Sequence, residues 1–379
     1  MKLKDFATIN MGQSPKGETY NTDGNGMPFL QGRKTFGRIY PTIDTWTTNP
    51  IKIANKDEIL MSVRAPVGDM NFANQEICIG RGLCSINAKN SRNKYLYYML
   101  LNSMNDLKQK STGTVFDSIN RNDLENLEIN FHSEEEQEKI EKILGSIDSK
   151  IELNNEINNN LEEQLRLLFE ENILKKLDDE NTYECSLYDQ FDVIDNRGKT
   201  PPLVEYSKYP IIDVKVLSGT ERVINYNNCL KYVNKETYDT FFRSGHPKLY
   251  DTLLSTVGSL AELKIYLENI GTIAQNVVAL RPKNDYPLFM YQYILSLRQR
   301  LTSYNIGSVQ PSIKVTQFMK EIIKMPKDKE LIYKFENLAK ANTLKMENLM
   351  KENRYLEQLR DTLLPKLMNG EIDLDNIEI

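Results

Sequence analysis

The chain is short of the residues on which most enzymes build a centre. It has two histidines, His132 and His246, in 379 residues, which argues against a histidine-based metal site. Its four cysteines, Cys78, Cys84, Cys185 and Cys229, include no C-x-x-C pair, so neither a disulfide frame nor a zinc site is expected. No run approaches the roughly 18 apolar residues that a membrane span needs. Met1-Lys2-Leu3-Lys4-Asp5 is not a charged-then-apolar leader, so the expected compartment is the reducing cytoplasm. Nucleotide motifs are absent too. Gly198-Lys199-Thr200 ends like a phosphate-binding loop, but Val193 stands where its first glycine belongs. Asn49-Pro50-Ile51 is the nearest approach to a methyltransferase Asn/Asp-Pro-Pro-aromatic string, and it lacks the second proline and the ring. Asp213-Val214-Lys215 has the spacing of a nuclease triplet, a spacing common by chance.

What is present is a repeat. From Ser133 to Ile173 apolar residues alternate three and four apart: Ile140, Leu144, Ile147, Ile151, then Leu161, Leu165 and Leu168. That spacing lays one narrow stripe on a helix, the pattern of a coiled-coil seam, with Asn154 and Asn158 set in it. Ser133 followed by Glu136 reads as a capping box. A second helix from about Asp328 to Asn369 carries Phe335, Leu338, Asn342, Met346, Leu349, Asn353, Leu356 and Leu363, and Asn369-Gly370 supplies its stop. Glu163-Gln164-Leu165-Arg166 returns as Glu357-Gln358-Leu359-Arg360, 194 positions later. Each helix of about 40 residues spans on the order of 60 Å.

The segments before the helices repeat as well. Gly12-Gln13-Ser14-Pro15 matches Gly198-Lys199-Thr200-Pro201. Met27-Pro28-Phe29-Leu30 matches Tyr209-Pro210-Ile211-Ile212, and Glu58 to Ser62 matches Asp251 to Ser255. A helix at Lys94–Leu107 has its counterpart at Tyr291–Leu301, and the strings at Gly113–Ile119 and Gly307–Ile313 again lie 194 apart. So long a period means duplicated domains and not a solenoid.

The net charge of −5 divides along the same lines. Residues 1–130 carry 16 Lys/Arg against 13 Asp/Glu, and residues 183–327 carry 18 against 14. Residues 131–182 carry 6 against 15, and residues 328–379 carry 8 against 11. Mildly basic globular parts alternate with acidic helices, which suits globular parts placed near phosphate. A solvated glutamate-rich helix face would give the same split.

The expected fold class is α+β. It has two duplicated α/β globular domains, 1–132 and 183–327, and two long helices, 133–177 and 328–370, pairing as an antiparallel coiled coil, with a tail at 371–379. This order gives a pseudo-twofold arrangement with a domain at each end of a rod.

In these motifs the chain resembles the specificity (S) subunits of Type I restriction–modification systems. The resemblance lies in the Gly-x-Ser/Thr-Pro loops, the Gly-Ser/Thr-Val-x-x-Ser-Ile strings and the helix end Leu359-Arg360-Asp361-Thr362-Leu363-Leu364-Pro365-Lys366-Leu367-Met368-Asn369-Gly370. It implies two target recognition domains that each read half of a split DNA sequence, with the helices as spacer. It also implies no catalysis and no cofactor in this chain. Two modification (methyltransferase) subunits would bring S-adenosylmethionine for adenine methylation, and restriction subunits would bring ATP and Mg. The first helix departs from the pattern, since Leu168-Phe169-Glu170-Glu171-Asn172-Ile173 lacks the Pro-Lys-Leu that closes the second.

Bases are read by polar and basic side chains. The candidates are Arg33, Lys34, Arg38, Arg64, Ser118 and Asn120 in the first domain, and Lys199, Lys215, Thr220, Arg222, Ser312 and Lys314 in the second. The candidate spacer seam is Ile140, Leu144, Ile147, Ile151, Leu161, Leu165, Leu349, Leu356 and Leu363. Two alternatives remain: a coiled-coil scaffold that never meets DNA, and an S-like subunit of a Type IIB-like nuclease–methyltransferase. Salt titration separates the scaffold from a DNA reader. A duplex binder loses affinity steeply with salt, and Lys34→Ala or Lys215→Ala should each flatten the log–log slope by about one. A scaffold shows no slope to flatten.

Overall fold

The computed structural model of the chain describes residues 1–110, 118–178, 180–306 and 311–374. It resolves into two compact units, Met1–Ser149 with Glu357–Ile379, and Lys150–Leu356. The division falls inside both long helices, so each unit holds one globular part and a share of each helix.

In the first unit an antiparallel sheet runs Ala7–Met11, Leu83–Ala88, Ile59–Ser62, Met70–Phe72 in spatial order. Ile59 to Ser62 is buried at every position, as a central strand covered on both faces must be. A second sheet contains the parallel pair Met27–Leu30 and Ile77–Ile79, in register Phe29 to Cys78 and Leu30 to Ile79. The second unit repeats the plan. Phe191–Ile194, Val277–Pro282, Thr252–Ser255 and Leu263–Ile265 form the antiparallel sheet, and Ile211–Ile212 pairs in parallel with Thr272–Ile273.

The helix after each sheet buries one side against it. Asn93–Lys110 turns Tyr95, Leu96, Met99 and Leu100 inward, the three–four spacing of an amphipathic face. Its counterpart begins at Pro287, earlier than the expected Tyr291, and ends at Ser296. A separate turn of helix, Arg298–Ser303, follows. Pro287 occupies the first helical turn, where its missing N–H costs nothing. Leu288 to Ile294 are all buried, so this helix shows no amphipathic period to place its start.

The long helices run Glu134–Asn172 and Lys329–Met368, the first followed by a short 3-10 turn, Leu174–Lys176. The capping box forms as the sequence suggests. Ser133 N–H donates to Glu136 Oε2 at 2.7 Å and Glu136 N–H to Ser133 Oγ at 3.3 Å. Gly370, with φ of +70°, ends the second helix, and Glu371 N–H closes back on Lys366 O.

Within each unit the two helices run antiparallel. Asn154 meets Asn353 at 2.8 Å, Gln164 meets Asn342 and Phe169 meets Phe335 in the second unit. Asp148 meets Arg360 in the first. The seam is not sealed by the helices alone. Ile140, Leu144, Leu364 and Leu367 belong to the same cluster as Leu3, Ile59 and Tyr95, and Leu165, Phe169, Phe335 and Met346 join Leu254, Leu280 and Phe289. Ile147 and Ile151 are buried, while Leu161, Leu349, Leu356 and Leu363 are half-buried. One residue placed in the second stripe does not belong there. Leu338 is 39% exposed, and Ala339 and Thr343 face inward in its stead. The 371–379 tail begins packed, with Leu374 buried and its carbonyl accepting from Lys139 Nζ at 3.2 Å.

Among the described residues no helix is long and apolar enough to cross a membrane, and no cluster of His, Cys, Asp and Glu is grouped to hold a metal ion.

Glu336, 7% exposed on the second long helix, accepts Phe289 N–H at 2.7 Å in the first turn of Pro287–Ser296. Burial pushes its carboxyl up to about 7, against the lowering effect of that N–H. Folded protein therefore keeps the proton through a window, from about 4.5 to 7, in which unfolded chain has lost it. Stability must fall as pH rises across that window. Glu336→Gln should raise the urea midpoint at pH 8 by the equivalent of about 1–3 kcal/mol, leave it unchanged near pH 4, and flatten the profile between.

Candidate nucleic-acid interface

A parallel strand pair delivers both chains to the same end. In the first unit these exits are Gln31 and Gly80, and they touch: Gly80 N–H donates to Leu30 O at 2.8 Å and Gly82 N–H to Gln31 O at 3.1 Å. The Gly12–Pro15 loop lies on this junction. Gly12 N–H donates to Leu83 O and Gln13 N–H to Ile79 O, both at 2.9 Å. A Cβ on Gly12 would stand 2.1 Å from Gly80 O, so only glycine allows the approach. Ser14 Oγ then accepts from Arg81 N–H at 3.2 Å and donates to Gln31 Oε1 at 2.9 Å. The second unit repeats part of this junction, without the close backbone approach of Gly12: a Cβ on Gly198 would meet only the Arg243 guanidinium, at 3.9 Å. Ala274 N–H donates to Ile212 O at 2.9 Å, and Gln275, at the place of Arg81, donates from Nε2 to Thr200 Oγ1 at 2.7 Å.

A hairpin turn borders the junction in both units. Ser62 Oγ donates to Pro66 O at 2.8 Å and accepts from Asp69 N–H at 3.1 Å, and Ser255 Oγ does the same with Ser259 O at 2.6 Å and Glu262 N–H at 2.8 Å. Main-chain bonds tie the turn to the junction, Val63 N–H to Gly82 O and Thr256 N–H to Asn276 O, both 2.9 Å. Others bring in a fourth segment, Ile119 N–H to Val63 O and Ile313 N–H to Thr256 O. As a result Arg64 bridges Ser118 and Val257 bridges Ser312. Of the two Gly-Ser/Thr-Val-x-x-Ser-Ile strings, residues 113–117 and 307–310 lie outside the described residues.

The first unit therefore gathers Arg33, Arg64 and Ser118 around one turn, because Arg33 pairs with Asp69 of that turn. Lys34 is exposed beside Arg33. Asn120 is exposed, but its Oδ1 caps the helix Arg121–Glu125 by accepting Asp123 N–H. In the second unit Lys199, Lys215, Thr220 and Lys314 are exposed, and Ser312 is half-buried with its N–H held by Asn305 Oδ1 at 2.9 Å. Lys215 follows Asp213, whose Oδ1 accepts the Lys215 N–H and whose Oδ2 accepts from Lys231 Nζ at 2.8 Å.

Two candidates are corrected. Arg222 has no exposed surface. Its guanidinium grips Glu162 on the first long helix at 2.5 and 2.9 Å, reaches Gln292 at 2.8 Å and Thr343 at 3.2 Å, and lies over the Tyr291 ring. Burial works against that charge, and the Glu162 carboxylate outweighs it. Arg38 is half-buried and pairs with Asp148 at 3.0 Å. Asp148 also accepts from Arg360 at 3.0 Å and from Tyr98 OH at 2.7 Å. Both arginines point at helices and not at solvent.

Three residues of the junction escaped the sequence: Gln31, Arg81 and Gln275. The last two sit 194 apart, so extending the repeat past Ile79 and Ile273 would have found them.

Residues 1–163 match the family model described as Type I restriction modification DNA specificity domain. A putative Type I restriction enzyme MjaX specificity subunit of Methanocaldococcus jannaschii is 42% identical over 150 residues, which is 39% of this chain and 35% of that one. The match thus spans about a third of that relative's length. The Type I restriction enzyme MjaIX specificity subunit of the same organism is 23% identical over 406 residues, covering 99% of this chain and 94% of the relative. The crystal structure of a Type I restriction–modification system S subunit from M. genitalium superposes with a TM-score of 0.57 at 20% identity, over 97% of this chain and 95% of that one, a likeness of fold.

The junction predicts a sharp difference between glycines. Gly12→Ala should lower stability by about 1–3 kcal/mol in urea unfolding, because backbone on both sides must move. Gly17→Ala, with nothing within 4 Å of its Cβ, should leave the midpoint unchanged.

Proposed function

We propose that the chain is a specificity subunit of a Type I restriction–modification system, one that reads a bipartite DNA target and directs adenine methylation or cleavage by partner chains. It is a non-catalytic recognition subunit. The partners are two modification methyltransferase subunits carrying S-adenosylmethionine, and restriction subunits carrying ATP and Mg.

The observation that supports this most is one backbone frame carrying two sets of side chains. The strand-exit bond, the serine-held turn and the bridging segment recur in both units, yet Arg81 is replaced by Gln275 and Arg64 by Val257. Arginine suits the guanine edge, glutamine the adenine edge and an apolar group the thymine methyl. A frame of this kind reads a different half-site in each unit, with lysines at its margin on phosphate. The paired helices set the gap between half-sites, which lie on the order of one duplex turn apart, roughly 34 Å.

Co-expression with the neighbouring methyltransferase gene, followed by mapping of methylated adenines, tests the reading. A split motif with an undefined gap is expected, and adding one helical turn to both long helices should lengthen the gap. The absence of any motif overturns DNA reading, a contiguous motif overturns the bipartite target, and an unchanged gap overturns only the spacer.

A further inference from the structure

The corrected arginines occupy similar places, one residue apart in register: the strand bond that lands on Arg222 O in the second unit lands on Ile39 O, next to Arg38, in the first. Each ends the loop that leaves the first strand of the parallel pair at the candidate reading face, residues 31–38 in the first unit and 213–222 in the second. The neighbouring strand pins the loop end both times, on either side of Arg38 in the first unit and at Glu221 and Arg222 in the second. Asn71 Nδ2 donates to Gly37 O at 2.9 Å and Phe72 N–H to Ile39 O at 2.7 Å. Lys264 Nζ donates to Glu221 O at 2.6 Å and Ile265 N–H to Arg222 O at 2.7 Å. The side chain then leaves the globular part for a long helix. Arg38 goes to Asp148, a carboxylate it shares with Arg360 of the second helix. Arg222 goes to Glu162, with Thr343 of the second helix as a further acceptor. The two carboxylates do not correspond by the repeat, since both lie on the first helix. The chain has thus met the same mechanical need with different acids.

The Arg222–Glu162 pair is bidentate, which fixes orientation as well as distance, and Arg38 Nη2 meets Asp148 Oδ1 at 3.0 Å. The loop it ends carries Arg33 and Lys34 in one unit and Lys215 and Thr220 in the other, and these residues are exposed. Resting on the DNA-reading function proposed above, we infer that Arg38 and Arg222 are positioning residues for base recognition. Each locks one reading loop to the long helices, and each governs the fidelity of one half-site only. Neither touches DNA.

The test uses the full chain co-expressed with its methyltransferase partner, with adenine methylation mapped genome-wide. The double variant Arg222→Met with Glu162→Leu replaces the whole ion pair by apolar groups, so no buried charge is stranded. It should raise methylation at sites mismatched in one half of the motif by about tenfold, the scale of one lost base discrimination, with the other half as strict as before. Arg38→Met leaves Asp148 its Arg360 counter-ion and should relax the opposite half by a similar factor. Arg222→Lys keeps the charge but loses the fork, and should fall between wild type and the double variant. Thermal unfolding of each variant reports folding separately. Folded variants whose methylation falls uniformly with the motif unchanged, or whose two halves relax together, would show that the arginines merely hold the fold, and so would Arg38→Met with full fidelity at both halves. If the wild-type chain itself gives no split motif, the failure lies in the bipartite reading and not in the clasp.

Discussion

Two strands that run the same way must release their chains at the same end. The structure of each candidate face follows from that constraint. In the first unit it sets Gln31 against Gly80–Gly82, and the third chain, at Gly12, can come close enough only by having no side chain. The hairpin after Ser62 and the segment at Ser118 then dock on main-chain groups left open at the junction. Nearly all the bonds that shape the face are therefore backbone bonds, or bonds from Ser62 and Ser255 to backbone. Side chains that project from such a frame can change without unmaking it.

Much of the architecture was legible because it is periodic. The three–four stripe gave both long helices, Ser133 and Glu136 gave the start of one, Asn369-Gly370 gave the end of the other, and the recurrence at 194 positions gave the duplication. What stayed hidden is not local. Arg222 finds its acid 60 residues away and Arg38 finds its own 110 away, so residue type alone placed both at the surface. A basic residue in a polar loop looks the same whether it meets water or a buried carboxylate. Leu338 was misplaced for a related reason. A stripe read for a two-helix seam ignores the globular part, whose packing brings Ala339 and Thr343 inward instead. The start of Pro287–Ser296 was obscured because a helix buried on all sides has no polar face to give it a period.

The long helices carry charge pairs and polar contacts where a plain seam would be apolar. Asn154 and Asn353 bond to each other, Asn353 reaches on to Asn155, and Asn154 to Glu352. Amides in such a place cost stability and favour one register over a slip by a heptad. The ion pairs at Asp148 and Glu162 bring the globular parts into the same register, so helix alignment and loop placement are one problem in each unit.

The two units also differ in how the polypeptide supplies them. The second is one uninterrupted stretch, Lys150–Leu356, while the first is closed from both termini, by Met1–Ser149 and Glu357–Ile379. In genetic terms the second unit is a cassette. A pair of crossovers, one inside each long helix, would exchange it whole and leave every internal contact of the first unit encoded by its original parent.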